Sequence, residues 1–360
     1  MRLVMMGTGP FAVPTLRVLY DTHHQVVLLV TAPARSHRGE RVAPVSEIRD
    51  VAHEHGTSVF DPEDVNAPRS REQILSFTPD LLVVCDYGQI LTADTLATAA
   101  LGGINLHGSL LPKYRGAAPV NWALYHGEVE TGATVIHMTP RVDAGPCVGQ
   151  VRTPIDPDET APALEARLAE MGSWLVRRTI DALEAGRLEL LPQDPAQASK
   201  APRLKKSDGE IDWSRSALAI KNQVRALEPW PKTYTFWHRA GQPPLRLILG
   251  PVRIAGEREV SEAQPRESQA SGSVARRPVD DAPSESRHDG HEAAAPFGSI
   301  LARSGDRLLV ATGDGVLRID SLQPSGKRMM GVEEFLRGHR LQAGDRLGPE
   351  QLRWPAAAPA

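Results

Sequence analysis

Apolar residues in the first half of the chain fall in short unbroken runs: Leu3–Met6, Val26–Val30, Leu81–Cys85, Ile104–Leu106 and Ala133–Met138. Between them lie segments with apolar positions at helical spacing: Pro14–Leu19, Val45–His55, Arg69–Ser76, Ala118–Tyr125 and Ala161–Leu183. A strand that is apolar on both faces belongs to a sheet covered on both sides. The alternation therefore predicts an α/β fold, a doubly wound, mostly parallel sheet that binds ligands beyond the carboxyl ends of its strands.

The texture changes near residue 192. Leu191–Ser199 is polar and proline-bearing, which reads as a linker. Shorter β-like pieces follow: Tyr234–Trp237, Leu245–Leu249, Gly298–Leu301, Arg307–Val310 and Val316–Ile319, preceded by a helix over Ser216–Leu227. Short strands punctuated by Gly and Pro predict a small β-barrel. Residues 256–296 are rich in Ser, Glu, Arg, Ala and Pro and nearly empty of large apolar side chains. Such a stretch cannot bury enough surface to offset its ordering entropy, so it is expected to be a disordered insertion between barrel strands. The expected organisation is a catalytic domain over 1–190, a linker over 191–204, a barrel domain over 205–347 and a tail over 348–360.

Composition narrows the possibilities. The chain has 360 residues, enough for two domains, and 41% of them are hydrophobic. Its two cysteines, Cys85 and Cys147, sit in apolar surroundings and form no disulfide framework, which favours a reducing cytoplasmic setting. No run approaches the roughly 20 apolar residues of a membrane span, so no membrane association is expected. No Cys/His set has metal-ligand spacing. The net charge of −3 conceals an asymmetry: Lys200–Ile254 holds 11 Lys and Arg against 4 Asp and Glu, an excess of 7. With Trp213, Trp230 and Trp237 interleaved, that excess raises the expectation of a nucleic-acid partner.

The candidate chemistry lies at residues 105–119, Asn-Leu-His-Gly-Ser-Leu-Leu-Pro-Lys-Tyr-Arg-Gly-Ala-Ala-Pro, with Arg141-Val-Asp-Ala-Gly downstream. Asn105 and His107 stand two apart on a strand, so they share a face. Asp143 follows the strand over Ala133–Met138, and in a parallel sheet it would emerge at the same edge as His107. An amide can hold an oxyanion, an imidazole can move a proton, and a carboxylate can fix the tautomer of the imidazole. This is what acyl transfer to an amine requires. Gly7-Thr-Gly9 after the first strand loosely fits a dinucleotide fingerprint. The second strand, however, ends without the acidic residue that would hold a ribose, and a tight strand-to-helix turn accounts for the glycines.

The stretch Asn105–Pro119 with Asp143 resembles the signature of the 10-formyltetrahydrofolate-dependent formyltransferases. Gly209–Trp213, Arg225–Pro231, Ala311–Gly315 and Leu322–Lys327 resemble the branch of that family that acts on methionyl-tRNA. The resemblance implies that Asn105, His107 and Asp143 are catalytic. It implies that Ser109, Leu110, Leu111 and Pro112 contact the folate and that Asp86, Tyr87, Gly88, Gln89 and Ile90 line its pterin cleft. Asp86 stands where many members carry a small residue. Arg35, Arg38 and Arg41, in the loop after the second strand, and Lys205 and Lys206 would meet the tRNA. The implied reaction is formyl transfer to the α-amine of initiator methionyl-tRNA by a monomeric cytoplasmic enzyme, with 10-formyltetrahydrofolate as co-substrate and no metal. An amino-sugar nucleotide is the alternative acceptor.

Overall fold

The computed structural model describes residues 1–33, 46–239, 241–263, 295–304, 306–341 and 345–351. The chain divides into two compact units, one of residues 1–206 with 225–231, the other of 207–224 with the described residues from 232 onward.

The first unit carries, in order, β1 (Arg2–Met6), α1 (Val13–Tyr20), β2 (Gln25–Val30), α2 (Glu47–Glu54), β3 (Val59–Phe60), α3 (Pro68–Leu75), β4 (Leu81–Cys85), α4 (Ala93–Leu96), β5 (Gly103–His107), β6 (Arg115–Gly116), α5 (Pro119–Tyr125), β7 (Glu130–His137), β8 (Cys147–Pro154), α6 (Ala161–Glu184) and β9 (Lys200–Ala201). Seven strands form one sheet in the order β3-β2-β1-β4-β5-β7-β8. Alternate residues of β1 and β4 enter cores on opposite faces. Leu3, Met5, Leu81 and Val83 pack with α1, α2 and α6, whereas Val4, Met6, Leu82 and Val84 pack with Ile74 and Leu96 of α3 and α4. Two-sided burial is why these strands read as unbroken apolar runs.

The sheet is parallel from β3 to β5 and antiparallel from there on, since β5 pairs antiparallel with β7 and β7 with β8. This corrects the expected route to Asp143. His137, at the end of β7, lies opposite Ile104 near the start of β5, so β7 ends at the far edge of the sheet from His107. The segment 191–204 is not a free linker either. It belongs to the first unit, where Leu191 and Cys147 exchange backbone hydrogen bonds and β9 pairs with β6.

The second unit contains α7 (Ala217–Ala226), whose residues to Val224 belong to it, then β10 (Tyr234–His238), β11 (Leu245–Leu249), β12 (Val252–Ile254), α8 (Glu257–Ala263), β13 (Ile300–Ser304), β14 (Arg307–Ala311), β15 (Val316–Ile319), β16 (Ser321–Pro324), β17 (Met330–Gly331), α9 (Val332–Gly338) and β18 (Arg346–Gly348). Its strands form two antiparallel sheets, β17-β16-β11-β10-β18 and β12-β15-β14-β13. The chain steps between them at Gly250–Pro251 and at Asp320, and a bridge from Ser299 to Arg346 joins the other side, giving a small barrel filled by Trp237, Leu247, Val310, Leu317 and Phe335. The expectation of disorder beginning at 256 fails at its first residues, because α8 occupies 257–263. Glu259 anchors it, accepting from Gly256 N at 3.1 Å, Arg307 at 2.9 Å and Arg318 at 2.6 Å. Charged side chains fix this turn where apolar ones are missing. Residues 264–294 of that expectation lie outside the described residues.

Candidate active site

Beyond the carboxyl ends of β4 and β5 lies a cavity of about 470 Å³, within the roughly 300–1,000 Å³ usual for small-molecule sites. Asn105 and His107 enter it from β5, while Ile104 before them and Leu106 between them are buried in the α6-side core. The alternation of a strand thus puts both polar side chains on one face and anchors them through their neighbours. Asn105 is half-buried and His107 is buried.

Asp143 reaches the same cavity by a different path. The connection from β7 to β8 doubles back, with His137 N donating to Pro146 O at 3.0 Å. Asp143 itself takes a left-handed backbone, φ +49°. Its carboxylate accepts from Gly116 N at 2.9 Å and from Asn105 Nδ2 at 3.4 Å, and its Oδ2 lies 3.6 Å from His107 Nδ1. Gln193 clamps the loop from behind: Nε2 donates to Asp143 O at 2.8 Å and Gly145 O at 2.7 Å, and Oε1 accepts from Arg115. Two glycines permit these close approaches. A Cβ on Gly145 would overlap the His137 carbonyl oxygen, and Gly116, at φ +127°, lies against the Ala201 carbonyl. Among these ties Gln193 carried no signal in the sequence, since one polar residue in a proline-rich stretch has no pattern to betray it.

His107 Nε2 lies 2.8 Å from the Tyr114 carbonyl oxygen, which can only accept, so Nε2 carries a proton. The tautomer is therefore fixed by this backbone carbonyl rather than by Asp143, as the sequence had suggested. In the neutral ring Nδ1 then presents a lone pair to Asp143 Oδ2. The two acceptors face each other one proton short of a hydrogen bond. Asn105 has two amide hydrogens and offers one to Asp143, leaving the other for a ligand.

Asp86, Tyr87, Gly88, Gln89 and Ile90 line the cavity. Burial pushes the Asp86 carboxyl up to about 6, an effect partly offset by the Gly9 N–H it accepts. Its surface faces the open cavity, yet protein encloses it on most sides, and confined water solvates a charge less well than bulk. Glu165, projecting from α6 into the same space, is raised by burial and by the Asp86 charge.

Ser109, Leu110, Leu111 and Pro112 are not among the residues that line this cavity. Ser109 Oγ donates to Lys113 O at 2.7 Å, Thr134 Oγ1 to Ser109 O at 2.7 Å, and Leu111 N to Thr134 Oγ1 at 3.1 Å, while Leu111 packs on Ile136 and Cys147. The turn braces the site from below. Lys205 and Lys206 are exposed outside the cavity; Arg203, Leu204 and Trp230 line it instead, as do Phe11 and Arg141. Arg35, Arg38 and Arg41 lie outside the described residues. Both cysteines are free and buried, and among the described residues no helix is long and apolar enough to cross a membrane.

An amide, an imidazole and a carboxylate converging beside a cleft at the sheet edge define a group-transfer site, and comparison with known proteins gives the class. Residues 1–180 match the formyl transferase family and residues 203–340 match the formyl transferase C-terminal domain; the chain belongs to the formyl transferase family. Within it, the chain is 41% identical to a methionyl-tRNA formyltransferase of Rhodopirellula baltica, over 96% of each chain, and 38% identical to that of Geobacter sulfurreducens, over 97% of each. Among solved structures it shares its fold with the N-formyltransferase from Helicobacter canadensis, solved with folinic acid and dTDP-3-aminofucose: TM-score 0.57, 16% identity, covering 88% of this chain and 98% of that one.

Proposed function

We propose that this chain transfers the formyl group of 10-formyltetrahydrofolate to the α-amine of initiator methionyl-tRNA. The observation that carries the reading is the meeting of Asn105, His107 and Asp143 at one cavity. The full-length relatives favour methionyl-tRNA as acceptor over the amino-sugar nucleotide of the structural neighbour.

The residues present suit the chemistry. As the amine attacks, charge develops on the formyl oxygen, and the uncommitted N–H of Asn105 is a donor for it. Loss of such a donor typically costs roughly 10²–10³-fold in kcat. The amine must shed a proton, and the gap between His107 Nδ1 and Asp143 Oδ2 accommodates one: protonation turns two facing acceptors into an imidazolium–carboxylate pair. The same proton is then available to the departing N10. The cleft along Asp86–Ile90 takes the folate, with its polar backbone and side chains facing a flat heterocycle. The basic stretch around Lys205 and Lys206 attracts the tRNA phosphates.

Release of tetrahydrofolate, measured with and without methionyl-tRNA, tests the reading. Turnover should depend on the tRNA. His107→Ala should lower kcat by roughly 10²–10⁴-fold while moving KM for the folate little. A variant that raised KM and spared kcat would remove the assigned role.

A further inference from the structure

The cavity has two walls, and only one has a partner under the reading above. One wall is formed by Asp86–Ile90, where the folate is assigned. The other combines Gly116–Asn121, Arg203–Leu204 and Trp230. Three hydrogen bonds tie that second wall into one piece: Ala118 N to Ala201 O at 3.3 Å, Trp122 Nε1 to Pro202 O at 2.7 Å, and Asn121 Nδ2 to Ala226 O at 2.7 Å. The backbone segments that carry this wall are therefore joined to one another.

Trp230 stands out on it. Trp213 and Trp237 are buried in the second unit, but Trp230 keeps 49% of its surface exposed while lining a cavity. It stands between Pro229 and Pro231, which limit its backbone freedom. Arg203 on the same wall is exposed and has no ion-pair or hydrogen-bond partner among the described residues. A half-exposed indole and an unengaged guanidinium lining one cleft are the elements that bind a nucleotide: one stacks on a base, the other meets a phosphate.

The reaction decides which nucleotide. An amine adds to one face of the planar formyl group while the bond to N10 lies in that plane, so the bodies of donor and acceptor leave the reacting atoms in different directions. With the folate on the first wall, the acceptor extends along the second. In an aminoacyl ester the group next to the amino acid is the ribose of the terminal nucleotide, and its base and 5′-phosphate come next. We propose that Trp230 and Arg203 form the subsite for that terminal nucleotide, with the indole stacked on its base and the guanidinium paired with its phosphate. The proposal rests on the acceptor being an aminoacyl-tRNA.

Steady-state kinetics on the full-length protein test it, using methionyl-tRNA and, as an acceptor lacking a nucleotide, methionine methyl ester. Stacking contacts removed by alanine substitution correspond to roughly 5- to 150-fold in affinity. Trp230→Ala should raise KM for methionyl-tRNA within that range and shrink the preference for methionyl-tRNA over the methyl ester by the same factor. Trp230→Phe, which keeps a stacking face, should recover most of it. Arg203→Ala, at an exposed position, should reduce the slope of log affinity against log salt by about 1. An unchanged KM for methionyl-tRNA in both alanine variants would overturn the proposal. So would a rise in KM for the folate, or equal losses on both acceptors. Should Trp230→Ala fail to fold, Trp230→Phe and Arg203→Ala still decide. Wild-type protein inactive on methionyl-tRNA would overturn the functional reading and the subsite with it; active wild type with indifferent variants would overturn the subsite alone.

Discussion

The two halves of the seven-stranded sheet bring side chains to one cavity by different physical means. In the parallel half, Asn105 and His107 are delivered by β5, and the residues between and before them, Leu106 and Ile104, are held in the core. In the antiparallel half, β7 runs the wrong way, and Asp143 arrives on a returning loop. Hydrogen bonds from Gly116, Asn105 and Gln193 hold that loop. One support is hydrophobic burial, which is cooperative with the whole domain. The other is a few directional bonds, each worth about 1 kcal/mol net. The proposed trio should therefore fail in two distinct ways, by global unfolding on one side and by local misplacement on the other.

Gly145→Val breaks the comparison most strongly. Its side chain would occupy the space of the His137 carbonyl, so the loop must move and Asp143 with it. We expect kcat to fall by roughly 10²–10³-fold, since a misplaced group costs nearly as much as a missing one. Ile104→Val is the counterpart in the parallel half. Removing one methylene from that fully buried position should cost roughly 0.5–1.5 kcal/mol in urea unfolding, with kcat within twofold of wild type. Comparable kcat losses in both variants would erase the distinction.

Gln193→Ala sharpens it. Two bonds to the loop carbonyls disappear, and Arg115 loses its acceptor. If the loop shifts by what two such bonds are worth, kcat should drop by roughly 5- to 30-fold with little change in the urea midpoint, because Gln193 lies outside the main core. A fall in midpoint with kcat intact would show that the loop is positioned by something else.

These two supports also differ in how they are written in the sequence. The pair Asn105 and His107 is legible because strand alternation and apolar neighbours are local signals. Asp143 was legible as the carboxylate that follows an apolar strand, but the parallel direction expected for that strand was wrong: an apolar run reveals a strand but not its direction. The bracing of Ser109–Pro112 by Thr134 and Lys113 was not legible, because a buried brace and a ligand loop have the same mix of apolar residues and proline. The apparent linker hid Gln193 for a similar reason, since polarity says nothing about which partner a side chain finds. β8 went unread because its half-exposed residues form no apolar run.

The smallest expected effect concerns the carboxylate on the parallel side. Asp86 leaves the end of β4 and, unlike the multiply bonded Asp143, has the Gly9 N–H as the named partner of its charge, while burial pushes its carboxyl up to about 6. An unfolded Asp titrates near 3.9, so the folded state binds this proton more tightly. The sign follows from linkage: stability from this group is fully present below about pH 4 and is lost as pH rises through about 6, beyond which both states are ionised and the difference is constant. Asp86→Asn keeps the shape and removes the titration, and it also relieves Glu165 of a neighbouring charge that raises its carboxyl. Urea unfolding of the two proteins should therefore agree near pH 4 and separate between pH 4 and 6, with Asp86→Asn the more stable above that window. Because the carboxylate faces the solvent of the cavity, the separation should stay under about 1 kcal/mol. The same gap at pH 4 and at pH 7 would mean that packing, not charge, distinguishes the variant. No gap at any pH would mean that water in the cleft solvates Asp86 as well as bulk water does.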